Sequence, residues 1–269
     1  MSIEVIVPAL IVPQRLLHSL SLGSQRPGLV SIVSNEIDVA DVDPCGLDVR
    51  VIRFSSDRYR VGEMDVVLRR NVGIWASVFP DLLFQDDDQV ASGSMVEMSA
   101  GMLRAKRIFW GHHRFIDFAE WSTSDLTRMS PLHGRSRESA VNVAHGFYSC
   151  YAGMFGAQRS FLIDSGAFDM AFMGRHGGED QQLGRRTGGD YVEVWEPPFA
   201  WHPLVSPGRN HVQPFPCEHD LEHRPVGSTM FKWCTRCPYY LAEGDLSAPR
   251  LILPYDPDGV RIEIETIGA

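Results

Sequence analysis

No run of about 18 apolar residues occurs anywhere in the 269-residue chain, so nothing in it has the length and apolarity of a membrane-spanning helix. The amino terminus enters Ile3-Glu4-Val5-Ile6-Val7 with no basic stretch ahead of it, which is not the form of a secretory leader, and a cytoplasmic location is expected. Positive charge is also scarce. Lys and Arg number 25 against 34 Asp and Glu, and a net charge of −9 argues against broad attachment to nucleic acid, which draws on clustered cations. Internal repeats and low-complexity tracts are missing. The cysteines number five, an odd count, with Cys45 and Cys150 alone and Cys217, Cys234 and Cys237 crowded into the last fifth. That distribution argues against a disulfide framework and for reduced thiols with a metal role.

What remains is a globular composition, 44% hydrophobic and 22% charged, able to bury a core. Short β-branched or apolar runs at Ile3 to Val7, Gly28 to Val33, Val49 to Arg53 and Leu82 to Phe84 alternate with longer connections. The spacing predicts an α/β fold: one mixed, mostly parallel sheet with crossovers on both faces. Helices are expected over Met64 to Val78, Gly93 to Arg104 and Gln181 to Arg186. Strands are expected at Arg107 to Trp110 and Tyr191 to Trp195, and order resumes at Tyr151 to Phe155. Ser122 to Val143 loses its period and is expected to form a mobile or acceptor-facing loop. Four prolines between Pro203 and Pro216 mark a boundary. Residues 1–203 would form the catalytic domain, and residues 204–269 a small C-terminal element with a tail that includes two short candidate strands, Leu251 to Leu253 and Val260 to Glu265.

Three motifs carry chemistry. Asp86-Asp87-Asp88 follows an apolar strand, where the chain leaves the sheet at the edge that binds ligands in open α/β folds. Two like charges about 4 Å apart repel by about 4 kcal/mol at an effective dielectric of about 20, so a partly buried triplet calls for a hard divalent cation shared with diphosphate oxygens. A solvated acidic turn is the plain alternative. Gly177-Gly178-Glu179-Asp180 opens a helix, where backbone amides and the dipole favour anions, the glycines admit close approach, and one acid can act as a general base; simple N-capping is the alternative. His202, 22 residues after Asp180, is a candidate ligand or an ordinary core or surface histidine. Further on, Cys217-Glu-His219 and, after fourteen intervening residues, Cys234-Thr-Arg-Cys237 supply two close pairs of soft or borderline ligands, as a tetrahedral structural zinc requires, with His223 able to replace His219.

Four blocks in order resemble the family 2 glycosyltransferases and the related galactosyltransferases. Val67-Leu-Arg-Arg70-Asn71-Val-Gly73-Ile is similar to their RNxG helix, and Leu83-Phe-Gln-Asp86-Asp87-Asp88 to their DDD motif. Tyr151-Ala-Gly-Met-Phe-Gly-Ala-Gln-Arg159 through Asp164-Ser-Gly166-Ala-Phe168-Asp169 resembles the segment ending in GFD. Gly177-Gly178-Glu179-Asp180-Gln-Gln-Leu183-Gly-Arg185-Arg186 is similar to the GGED block. The resemblance spans roughly residues 3 to 203 and implies a glycosyltransferase A fold with a small zinc-ribbon-like element behind it. It also implies a metal-dependent transfer from a nucleotide-diphosphate sugar to an acceptor hydroxyl, with inversion. By the same resemblance, Asp88 and His202 would hold Mn2+ or Mg2+, and Asp86 would face the metal or the ribose with Asp87 beside it. Arg70 would lie near the nucleotide or diphosphate, Asp180 would be the base, and Glu179 would contact a sugar. Asn35 stands where the family has an Asp that touches the base, and this departure leaves the nucleotide open. Two rivals remain: a nucleotidyltransferase acting on a sugar phosphate, and a non-catalytic glycosyltransferase-like binding module with a zinc ribbon.

Overall fold

The computed structural model describes residues 2–59, 65–111, 113–116, 137–138, 154–170, 179–187, 190–192, 200–203, 223–225, 232–234 and 254–268. In chain order the strands and helices are β1 (Glu4–Pro8), α1 (Gln14–Ser21), β2 (Leu29–Val33), β3 (Val49–Ser56), α2 (Val66–Ala76), β4 (Asp81–Gln85), β5 (Val90–Ala91), α3 (Met95–Ala105), β6 (Ile108–Gly111), β7 (His113–Ile116), β8 (Arg137–Glu138), β9 (Met154–Gln158), α4 (Arg159–Asp164), α5 (Glu179–Thr187), β10 (Asp190–Val192), β11 (Ala200–Pro203), β12 (His223–Pro225), β13 (Lys232–Cys234) and β14 (Val260–Ile267).

Eight strands form one sheet in the order β10-β6-β9-β4-β1-β2-β3-β14. β3, β2, β1 and β4 run parallel, as the continuous apolar runs predict for strands covered on both faces. β9 enters antiparallel between β4 and β6. Alternation along the strands divides the core into two layers. Val5 and Val7 face α1 and α3 through Leu16, Leu17, Leu20, Ala100 and Leu103. Ile6 faces α2, α4 and α5 through Val67, Leu68, Val72, Leu162 and Leu183. Glu4, fully buried in β1, is matched by Arg50 at 2.7 Å and by the hydroxyls of Ser31 and Ser77, which closes the amino edge of the sheet with a compensated charge.

The tail is not an appendage. All eight residues of β14 pair antiparallel with β3, from Val260 opposite Ser56 to Ile267 opposite Val49. Without this strand β3 would be the sheet's open edge, and the tail satisfies its free backbone groups. Of the expected zinc element, the described residues give one antiparallel ribbon, β12 with β13. Cys217, His219 and Cys237 lie outside the described residues, as does most of Ser122 to Val143.

α2 is buried around its whole girth from Val67 to Ile74, which is why its polar residues cannot be idle surface groups. It sits directly on the sheet: a Cβ on Gly73 would lie 2.5 Å from Ile6 Cγ2 and 3.3 Å from Val33 Cγ2. Gly73→Val should therefore lose about 1–3 kcal/mol of stability through overpacking, measured by urea unfolding. A variant as stable as the parent would show that α2 does not rest on β1.

Candidate functional site

The strand order reverses between β1 and β4. From β1 the chain crosses to β2 on one side, whereas β3 returns through α2 to β4 on the other. Such a reversal leaves a crevice at the carboxyl ends of the two strands, the standard ligand position in open α/β sheets. The acidic triplet leaves β4 at this point. Asp86 to Gln89 form a turn closed by the Gln89 amide on the Asp86 carbonyl at 3.4 Å. The Asp87 Oδ2 oxygen accepts from the amides of Leu10 and Ile11 at 2.7 and 3.1 Å, tying the turn to the loop after β1. Asp86 keeps its side chain 19% exposed, while Asp88 is buried. Among the described residues no group of three or more His, Cys, Asp and Glu forms a ready-made metal cluster. Asp86 and Asp88, flanking the engaged Asp87, supply the hard oxygen donors that suit Mn2+ or Mg2+.

Two consecutive arginines of α2 organise the crevice. Arg69 Nη1 donates to the Ala9 carbonyl beyond β1, and its guanidinium meets Glu36 beyond β2 as a fork at 2.8 Å on each arm, with Asp65 on its Nε. Burial pushes the Glu36 carboxyl up, yet Arg69 and Ser34 outweigh it and hold the group below its ordinary 4.5. Arg70, 4% exposed, donates from Nη1 to Glu179 Oε1 at 2.6 Å and from Nη2 to Asp86 Oδ1 at 3.4 Å. Burial alone would lower the Arg70 pKa, but Glu179, then Asp86 and Asp180, raise it above the usual arginine value. The guanidinium also lies 5.3 Å from the centre of the Phe168 ring.

The segment around Phe168 joins the two helices. α4 ends in a Schellman turn, with Gly166 at φ 80°, the Ala167 amide on the Leu162 carbonyl and the Gly166 amide on the Ile163 carbonyl. Asn71 of α2 bonds both the amide and the carbonyl of Phe168, at 3.0 and 2.8 Å. Arg186 of α5 donates to the carbonyls of Ser165 and Ala167. Beneath this turn Phe84, Phe155 and Trp110 stack, with centroids 4.3 and 4.9 Å apart along the row, and Phe168 stands edge-on to Phe84 and Phe155.

The fold thus assembles Asp86, Asp87, Asp88, Arg70, Glu179 and Asp180, which are scattered over more than a hundred positions of sequence. Glu179 and Asp180 form the buried first turn of α5. The backbone of His202 arrives on β11, whose Trp201 pairs with Val90 of β5, the short strand that follows the acidic turn. Asn35 lies beyond β2, its side-chain carbonyl accepting from the Phe54 amide at 2.8 Å. Gly178 lies outside the described residues. The motifs do not single out Arg69, Glu36 or Gln89; the only hint was the doubling of arginine in an otherwise apolar helix.

The same arrangement of elements occurs in solved structures. The chain superposes on S. aureus TarS 1-349 in complex with UDP with a TM-score of 0.54 at 15% identity, covering 77% of this chain and 61% of that one. For TarS 1-349 in complex with UDP-GlcNAc the values are 0.54, 14%, 77% and 59%. Against a longer TarS chain they are 0.52, 14%, 76% and 37%. The likeness is one of fold. The chain spans about three-fifths of the length of the first two structures. No family model matches it, and no curated protein matches it in sequence. Among the described residues no helix is long and apolar enough to cross a membrane.

Replacing Arg70 by Met should leave the Glu179 carboxylate buried without its counter-charge and cost about 3–5 kcal/mol in urea unfolding. Arg70→Lys, which keeps the charge but not the two-armed reach, should recover only part of it. Equal stability of all three proteins would show that the Arg70–Glu179 pair does not hold α2 against α5.

Proposed function

We propose that the chain is a glycosyltransferase that moves a sugar from a nucleotide-diphosphate donor to an acceptor hydroxyl. The observation that carries this reading is the seating of the turn Asp86 to Gln89 at the β1–β4 reversal, coupled through Arg70 to Glu179 and Asp180. It is supported by the shared fold with TarS, which has been solved with UDP and with UDP-GlcNAc. Asp86 and Asp88, with His202 on the neighbouring strand, are the residues that would hold Mn2+ or Mg2+; the ion supplies positive charge against the leaving diphosphate.

Asp180 takes the role of base. Glu179 is held by the Arg70 guanidinium at 2.6 Å, and the proton transfer is assigned to Asp180, the next residue in the same first turn of α5. The acceptor O–H gives its proton to the Asp180 carboxylate as its oxygen bonds to the sugar C1. The bond from C1 to the diphosphate oxygen breaks on the opposite face, its electron pair leaving with the nucleoside diphosphate and the anomeric centre inverting. Arg70 acts as a positioning residue that keeps the acidic turn and the first turn of α5 at a fixed separation.

A thermal-shift panel of uridine- and guanosine-diphosphate sugars should show stabilisation that depends on Mn2+, worth about 2.7 kcal/mol at a hundred times Kd. Asp180→Asn should keep that shift and lose sugar transfer or donor hydrolysis at least about a hundredfold. Full turnover in this variant would move the base to Glu179. No shift with any nucleotide sugar, or pyrophosphate released from a nucleoside triphosphate and a sugar phosphate, would replace the reading by a binding module or a nucleotidyltransferase.

A second metal belongs to the C-terminal cluster in the same proposal: one structural zinc on Cys217, Cys234 and Cys237 with a histidine. The antiparallel register that sets His223 directly opposite Cys234 supports His223 as the fourth ligand in place of His219. Protein purified without chelator should contain about one zinc per chain. His223→Ala and Cys234→Ser should lose it and His219→Ala should retain it; zinc-free parent protein would remove the site altogether.

A further inference from the structure

We propose that Gln89 is a donor-contacting residue, its carboxamide reserved for the diphosphate-sugar part of the bound nucleotide sugar. The proposal rests on the glycosyltransferase reading of the crevice. Gln89 closes the turn that begins at Asp86, immediately follows Asp88, and is fully buried. Neither Oε1 nor Nε2 of its amide has a hydrogen-bond partner among the described residues. Buried polar groups in folded proteins are almost always satisfied, and one that is not marks a position completed by a ligand, an ion or a water.

Within the same chain, a glutamine with a purely structural task looks different. Gln14 donates from Nε2 to the Asp43 carbonyl at 3.0 Å and accepts on Oε1 from the Asp43 amide at 3.2 Å, so both ends are used. Nor is Gln89 an isolated defect. Ser92, 3% exposed and three residues further on, also has an unpartnered hydroxyl among the described residues. Unpartnered buried atoms occur elsewhere among the described residues too, on Ser99, Trp110 and Tyr255 for example, but Gln89 is the residue next to the acidic triplet with both ends of its amide unmet, and Ser92 lies just beyond it past β5.

The chemistry of the amide suits this position. Three carboxylates precede it, and none of them in its ionised form can donate a hydrogen bond to an anion. A neutral carboxamide can donate from Nε2 to a diphosphate oxygen and accept on Oε1 from a sugar hydroxyl, without adding a fourth negative charge beside the departing phosphate. A fully buried amide is reached only as the donor enters and the surrounding chain yields. Its unmet hydrogen bonds are thus a local instability of the ligand-free protein that the donor relieves.

Gln89→Met keeps the length and volume of the side chain and removes both polar atoms, so the two roles of the residue separate cleanly. Melting temperature without ligand and affinity for manganese with UDP, GDP or ADP should be measured on parent and variant, using the nucleotide that the parent binds best. The expected result is an unchanged or higher melting temperature without ligand, together with about tenfold or greater weakening of nucleotide binding, as loss of a hydrogen bond to a charged group predicts. Gln89→Glu should weaken binding further, by bringing a like charge to the diphosphate. A lower melting temperature for Gln89→Met would overturn the proposal, because the amide would then have a partner inside the protein. Unchanged affinity would overturn it equally, leaving the amide as a packing defect. Failure of the parent itself to bind any of the three nucleotides would instead remove the glycosyltransferase reading, and this assignment with it.

Discussion

The buried guanidinium of Arg70 is the interaction on which the site depends. It joins three parts of the chain directly: the helix α2 that carries it, the turn after β4 through Asp86, and the start of α5 through Glu179. A guanidinium so far from solvent is tolerated only because two carboxylates face it, and those carboxylates are in turn held by it. The planar, two-armed geometry of arginine lets one side chain address two acids in different directions, which lysine could not do.

The rest of the structure serves this junction by fixing distances. Gly73 lets α2 settle onto β1 and β2, so the helix bearing Arg69 and Arg70 has one available height above the sheet. Asn71, one residue along, binds the backbone of Phe168, and Arg186 binds the turn just before it, so α2 and α5 are registered against the same short segment. Asp87 then pins the acidic turn to the loop after β1. Five side chains from motifs far apart in sequence thereby become one rigid frame around a crevice. Positional precision of this kind is what a transfer reaction needs from its protein.

The opposite edge of the sheet shows the contrast. Glu4, Arg50, Ser31 and Ser77 also form a buried ionic network, with the charge met by an arginine and two hydroxyls, at the amino ends of the strands where α/β folds do not bind ligands. The chemical ingredients are alike. What differs is location relative to strand direction: this network lies at the amino ends of the strands, the Arg70 network at the carboxyl ends.

The parallel strands and the burial of α2 were determined by the sequence itself, since continuous β-branched runs and an apolar helical period are local signals that burial on both faces demands. The acidic turn and the acids opening α5 were equally legible, because both lie at element ends that strand and helix patterns locate. Tertiary structure alone decided that β9 enters antiparallel and that β14 returns two hundred residues later to close β3, as strand pairing is a long-range choice with no local mark. It alone directed Arg69 to Glu36 and Arg70 to Glu179: adjacent residues on a helix point about 100° apart, so which partner each meets depends on what the fold brings to that side. The isolation of the Gln89 amide is of the same kind, for a missing hydrogen bond exists only once every neighbour has been placed.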